Sequence, residues 1–101
     1  MDFLTIIAAD GRTIRQDITA SSLRIGRGSG NDLVLQDLNV SRVHAEILRR
    51  EDGYYVLDAG GKNGTFLNGQ KLPNGVLTPI KDGDELLLCR LGLTFKTPAG
   101  K

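Results

Sequence analysis

Three polar clusters hold the side chains that could do chemistry: Ile25-Gly-Arg-Gly-Ser-Gly-Asn-Asp32, Asn39-Val-Ser-Arg-Val-His44 and Asp58-Ala-Gly-Gly-Lys-Asn-Gly-Thr65. They carry more glycine and polar residues than minimal connections need, and binding residues concentrate on such loops. Arg27, set between two glycines, can present its guanidinium fork beside exposed backbone N–H groups, and both kinds of donor suit phosphate oxygens. An arginine in a solvated turn fits the same three residues. Ser41 offers a hydroxyl, and Asn63 offers both a donor and an acceptor. Taken singly, a turn hydroxyl and a turn-forming Asn-Gly pair account for those two residues as well.

Catalysis fits these clusters poorly. His44 follows Ser41 by three residues, but a serine nucleophile also needs a base oriented by a third group and an oxyanion hole. No Gly-x-Ser-x-Gly elbow occurs. Gly61-Lys62 resembles the end of a phosphate-binding loop, yet Lys62 is followed by Asn63 instead of Ser or Thr, and no helix opens after the glycines. One histidine and one cysteine, far apart, form no metal-ligand cluster. No catalytic residue, metal or cofactor is therefore expected.

Composition agrees with a binding module. With 101 residues, 40% apolar and 25% charged, the chain has the size and make-up of one globular domain. No run approaches the roughly 20 apolar residues of a membrane span. The net charge of +1 arises from 13 basic and 12 acidic side chains dispersed along the chain, so any anion site must be local, not a broad cationic face for nucleic acid. Single-strand nucleic-acid binding would also call for exposed aromatics, whereas Phe3, Phe66 and Phe95 sit in apolar runs and read as core; Tyr54 or Tyr55 must face outward if their strand alternates. Cys89 lies in an apolar run and reads as a small buried hydrophobe. A lone cysteine and a start lacking a basic signal region favour a reducing, cytoplasmic setting.

The elements that must carry these clusters are strands. Short runs rich in Val, Ile, Leu, Tyr and Phe, punctuated by Gly, Asn and Asp, predict strands near 3–8, 13–18, 22–25, 33–35, 44–50, 54–58, 65–67, 70–72, 76–79, 85–89 and 91–96. Asp10-Gly11, Asp52-Gly53 and Asn68-Gly69 have the chemistry of tight hairpin turns, and 81–84 adds a further turn. Gly92 suggests a bulge or bend between the last two strands. About eleven short strands in one domain are best accommodated as an all-β, antiparallel sandwich of two packed sheets, with the polar loops at one rim. The domain is expected over 1–97, with 98–101 a tail or linker start.

Gly26-Arg27, then Ser41-x-x-His44, then Asn63-Gly64 with Asn68-Gly69 beyond, in that order and spacing, resembles the forkhead-associated (FHA) domain family. The resemblance implies an eleven-stranded sandwich that reads phosphothreonine. In that family the residues matching Arg27 and Ser41 bind the phosphate, and the one matching Asn63 holds the peptide main chain. The position of Arg42 often touches the peptide backbone or an acidic neighbour. The matching histidine is structural, so His44 is assigned, with Gly26, Gly64 and Asn68, to support of the site. Many members place Ser or Thr before the asparagine; Lys62 has no hydroxyl and would replace that phosphate contact electrostatically or point to solvent. The expected partner is a phosphothreonine protein made by an upstream Ser/Thr kinase, bound by a monomeric domain without nucleic acid or membrane. The alternative is a sandwich of this fold that binds partners without phosphate.

Overall fold

A computed structural model describes residues 2–7, 13–18, 21–61, 63–88 and 91–96. Eleven strands occupy them: β1 (Asp2–Ile7), β2 (Thr13–Ile18), β3 (Ser22–Gly26), β4 (Leu33–Val34), β5 (Ala45–Arg50), β6 (Gly53–Asp58), β7 (Thr65–Leu67), β8 (Gln70–Lys71), β9 (Thr78–Ile80), β10 (Glu85–Leu88) and β11 (Leu91–Lys96). They form a six-stranded sheet in the order β2-β1-β11-β10-β7-β8 and a five-stranded sheet in the order β4-β3-β5-β6-β9. The Asp10-Gly11 turn, Lys62, Cys89, the 97–101 tail and the side chain of Phe3 lie outside what is described.

Alternation along the strands explains the sandwich. Leu86 and Leu88 of β10, and Leu91, Leu93 and Phe95 of β11, are buried, as are Leu23 and Ile25 of β3, Ala45 and Ile47 of β5, and Val56 of β6. Each large aliphatic side chain taken from water in this way contributes roughly 1.5–3 kcal/mol. Tyr54 of β6 packs on Phe95 of β11, ring centroids 4.9 Å apart and tilted by 58°, and so links the two sheets. Its neighbour Tyr55 points the other way and donates to Asp52 Oδ2 at 2.8 Å.

Five details depart from the sequence-based expectation. β3 and β4 pair in parallel, through Ile25↔Leu33 and Gly26↔Val34, because the chain closes a six-residue loop over the sheet end instead of reversing in a hairpin; the other strand pairings are antiparallel. Arg50 pairs with Gly53, which makes Glu51-Asp52 the turn and leaves Gly53, at φ +139°, inside β6. β9 begins at Thr78, not Val76: the preceding stretch is drawn toward Asp58, whose carbonyl accepts Gly75 N–H at 3.0 Å. Gly92 makes no bulge, since it pairs in regular register with Ile7 and Leu87. Phe66 pairs with the exposed Leu87 on the outer face and is only half-buried, because alternation in β7 turns Thr65 and Leu67 inward.

Candidate functional site

Three loops meet at one end of the sandwich: residues 27–32 between β3 and β4, 35–44 between β4 and β5, and 59–64 between β6 and β7. Backbone bonds hold the first two together. Arg27 N–H donates to Ser41 C=O at 2.9 Å and Gly28 N–H to Arg42 C=O at 3.0 Å, while His44 N–H reaches back to Ile25 C=O at 2.8 Å. This close approach needs glycine: a Cβ on Gly26 would lie 2.3 Å from Arg42 O. Asn31 adds a clasp, its amide nitrogen donating to Gly28 C=O at 2.7 Å and Arg42 C=O at 2.6 Å. Flipping that amide would set oxygen against two carbonyls, so its orientation is fixed. Its buried Oδ1 has no partner among the described residues.

His44 joins the second and third loops. It is fully buried; Nδ1 accepts the Ser41 backbone N–H at 3.1 Å and Nε2 lies 2.8 Å from Gly64 C=O. Only the tautomer with its proton on Nε2 satisfies both partners. With both ring nitrogens engaged by main chain, neither is placed to take a proton from the Ser41 hydroxyl. Gly61 lies against the imidazole, where a Cβ would come within 2.4 Å of ring atoms. Below it, the buried Asp58 accepts Gly60 N–H at 3.2 Å and Gly61 N–H at 3.0 Å through Oδ1. The loop then closes with Gly64 N–H on Gly61 C=O at 3.0 Å and Gly64 in the left-handed region at φ +80°.

On this frame Arg27, Ser41, Arg42 and Asn63 line one cleft of about 350 Å³, together with Leu38, Asn39 and Val40. Arg27 Nε donates to Val40 C=O at 3.1 Å, which anchors the side chain; among the described residues its terminal nitrogens make no hydrogen bond. Asn63 Nδ2 donates to Asn39 C=O at 2.9 Å and so bridges the third loop to the second. A guanidinium held by one nitrogen, beside a hydroxyl and an amide, can grip a tetrahedral anion and an adjoining peptide unit. A larger cleft of about 500 Å³ lies behind the third loop, and among the described residues Lys71 is the cation on its lining.

Four of the expected site residues thus share the cleft, and His44, Gly26 and Gly64 build its frame. Asn68 is placed differently. It sits at the far end of β7, with φ +50° in its turn, and its side chain bonds Glu85 N–H at 2.9 Å and Asp84 Oδ1 at 3.2 Å; any support it gives the site runs through β7. Sequence reasoning missed Asn31, Asp58 and the role of Gly61. Asp58, two residues before Gly60-Gly61, fits an Asx turn and was open to discovery; the bond from Asn31 to Arg42 C=O, 11 residues away, was not.

The FHA domain family model matches residues 23–89. The chain is 35% identical over 83 residues to the transcriptional regulatory protein EmbR of Mycobacterium tuberculosis, covering 82% of this chain and 21% of EmbR. It is 39% identical over 80 residues to the oxoglutarate dehydrogenase inhibitor of Corynebacterium jeikeium, covering 79% of this chain and 51% of that protein. It therefore spans about a fifth to a half of these curated relatives. The structure of M. tuberculosis EmbR in complex with a low-affinity phosphopeptide superposes with TM-score 0.79 at 34% identity, over 94% of this chain and 24% of that one. The N-terminal FHA domain of S. cerevisiae Rad53p, bound to a phosphothreonine peptide, gives TM-score 0.82 at 25% identity, over 96% and 94% of the two chains.

Proposed function

Because this chain belongs to the FHA domain family, we propose that it is a phosphothreonine-dependent peptide-binding module that recruits or regulates proteins phosphorylated by a Ser/Thr kinase. The observation that carries this reading is the convergence of Arg27, Ser41, Arg42 and Asn63 on one cleft. The phosphate, with a charge of about −1.5 to −2 near neutral pH, meets the terminal nitrogens of Arg27 and the Ser41 hydroxyl. Asn63 and Arg42 meet the main chain beside the phosphothreonine, and Lys62, next to Asn63 in sequence, adds long-range attraction. His44, Gly26 and Gly64 hold the loops in register.

The module acts by binding, with no catalytic step, as a cytoplasmic monomer. The bound peptides of EmbR and Rad53p support the ligand class. An oriented phosphothreonine peptide library screened against the wild type and Arg27→Ala tests the reading: selection of a defined peptide set, lost in the variant, is expected. Equal capture of the same peptides without phosphate would favour the phosphate-independent alternative.

A further inference from the structure

A second cleft of about 360 Å³ adjoins the first, and Arg42 lines both. Arg24, Ser29, Gly30 and Asn31 complete the part of its wall that matters here. Arg24, Ser29, Gly30 and Arg42 are all exposed. Among the described residues neither guanidinium makes an ion pair or a side-chain hydrogen bond, and the backbone N–H groups of Ser29 and Gly30 and the Ser29 hydroxyl have no partner. Space above the loop is open, since a Cβ on Gly30 would meet nothing within 4 Å. Two carboxylates stand nearby: Asp32 is spent on the Arg24 backbone N–H at 2.8 Å, and Glu46 faces Arg24 across the β3–β5 pair. Neither lines the cleft.

Uncommitted donors of this kind, two guanidinium forks beside successive N–H groups and a hydroxyl, are those that bind oxyanions. We propose that this cleft is a second anion subsite, which takes a second phosphate or a carboxylate on the flank of the ligand that leads away from Asn63. This rests on the phosphothreonine occupying the Arg27 cleft. The domain then discriminates doubly phosphorylated or acidic-flanked segments from singly phosphorylated neutral ones. Arg24 is the specificity-determining residue, because it lines the second cleft alone, whereas Arg42 serves both.

The test uses synthetic phosphothreonine peptides in an alanine-glycine background, with a phosphoserine or a glutamate walked one position at a time along both flanks. They are titrated against the whole chain and against Arg24→Gln. On the wild type, a second phosphate confined to neighbouring positions of one flank should tighten binding about fivefold or more, and glutamate less, as charge and donor number dictate. In Arg24→Gln that gain should vanish while the singly phosphorylated neutral peptide binds as before. A gain that is uniform along both flanks, or that survives in Arg24→Gln, or that no peptide gives, overturns the second subsite. Loss of phosphate dependence for the singly phosphorylated peptide on the wild type overturns instead the reading beneath it, and the subsite falls with it.

Discussion

Arg27→Ala should weaken phosphopeptide binding by roughly 2–4 kcal/mol, the loss of charge-assisted bonds, yet leave the melting temperature nearly unchanged because the residue is exposed in a loop. A calorimetric titration and a thermal melt on the same sample check both halves. His44→Ala should behave in the opposite order. It strips partners from Ser41 N–H and Gly64 C=O, and each orphaned buried group costs about 1–3 kcal/mol, so stability falls first and binding follows. A normal melt with lost binding would give His44 a direct role. Arg27, Ser41, Asn63 and His44 stood out in the sequence through an order and spacing that resemble the FHA family, and the structure puts the first three on one cleft with His44 joining their loops. Asn31 did not, since its bridge between the first two loops depends on the Arg42 carbonyl, 11 residues away and brought close by folding.

At the scale of elements, the turn before β10 makes a pH prediction. Burial pushes the Asp84 carboxyl up, but bonds from Lys81 N–H, the Asn68 amide and the Lys81 ammonium outweigh it and hold the carboxyl below its ordinary value. With the folded-state value depressed, this stabilisation is present above the ordinary carboxylate range and is lost as pH falls through the depressed value. Asp84→Asn should therefore be less stable near neutral pH and show a flatter loss of stability below about pH 4. Denaturant melts across that range measure it, and an unchanged acid limb would contradict it. The same turn shows why strands were largely legible and their joints less so. β2, β7 and β11 coincide with the strands expected over 13–18, 65–67 and 91–96. The parallel β3–β4 pair and the late start of β9 depend on long-range pairings, to Gly26 and to Asp58, which leave no periodic trace.

For the whole molecule, the two sheets form the frame, and the three loops of the proposed site meet at one rim. A net charge of only +1 means that affinity arises from local donors, so it should decline with salt through the exposed contacts and weaken below about pH 6, where the phosphate takes up its second proton. Affinity that stays flat between about pH 5 and 7.5 would argue against dianion recognition. The sandwich was legible in the count and punctuation of strands, and the meeting of three loops at one rim followed from it. The knit between them was not, because the sequence does not reveal that Gly26 and Gly61 leave room for Arg42 O and the His44 ring. The central claim, that the Arg27 cleft reads phosphate on threonine, is tested most directly by titrating one selected threonine peptide with and without its phosphate by calorimetry. The account predicts saturable binding of the phosphorylated form and at least about a hundredfold weaker binding of its unmodified twin, the loss of two charge-assisted bonds. Equal affinity for the two would contradict it.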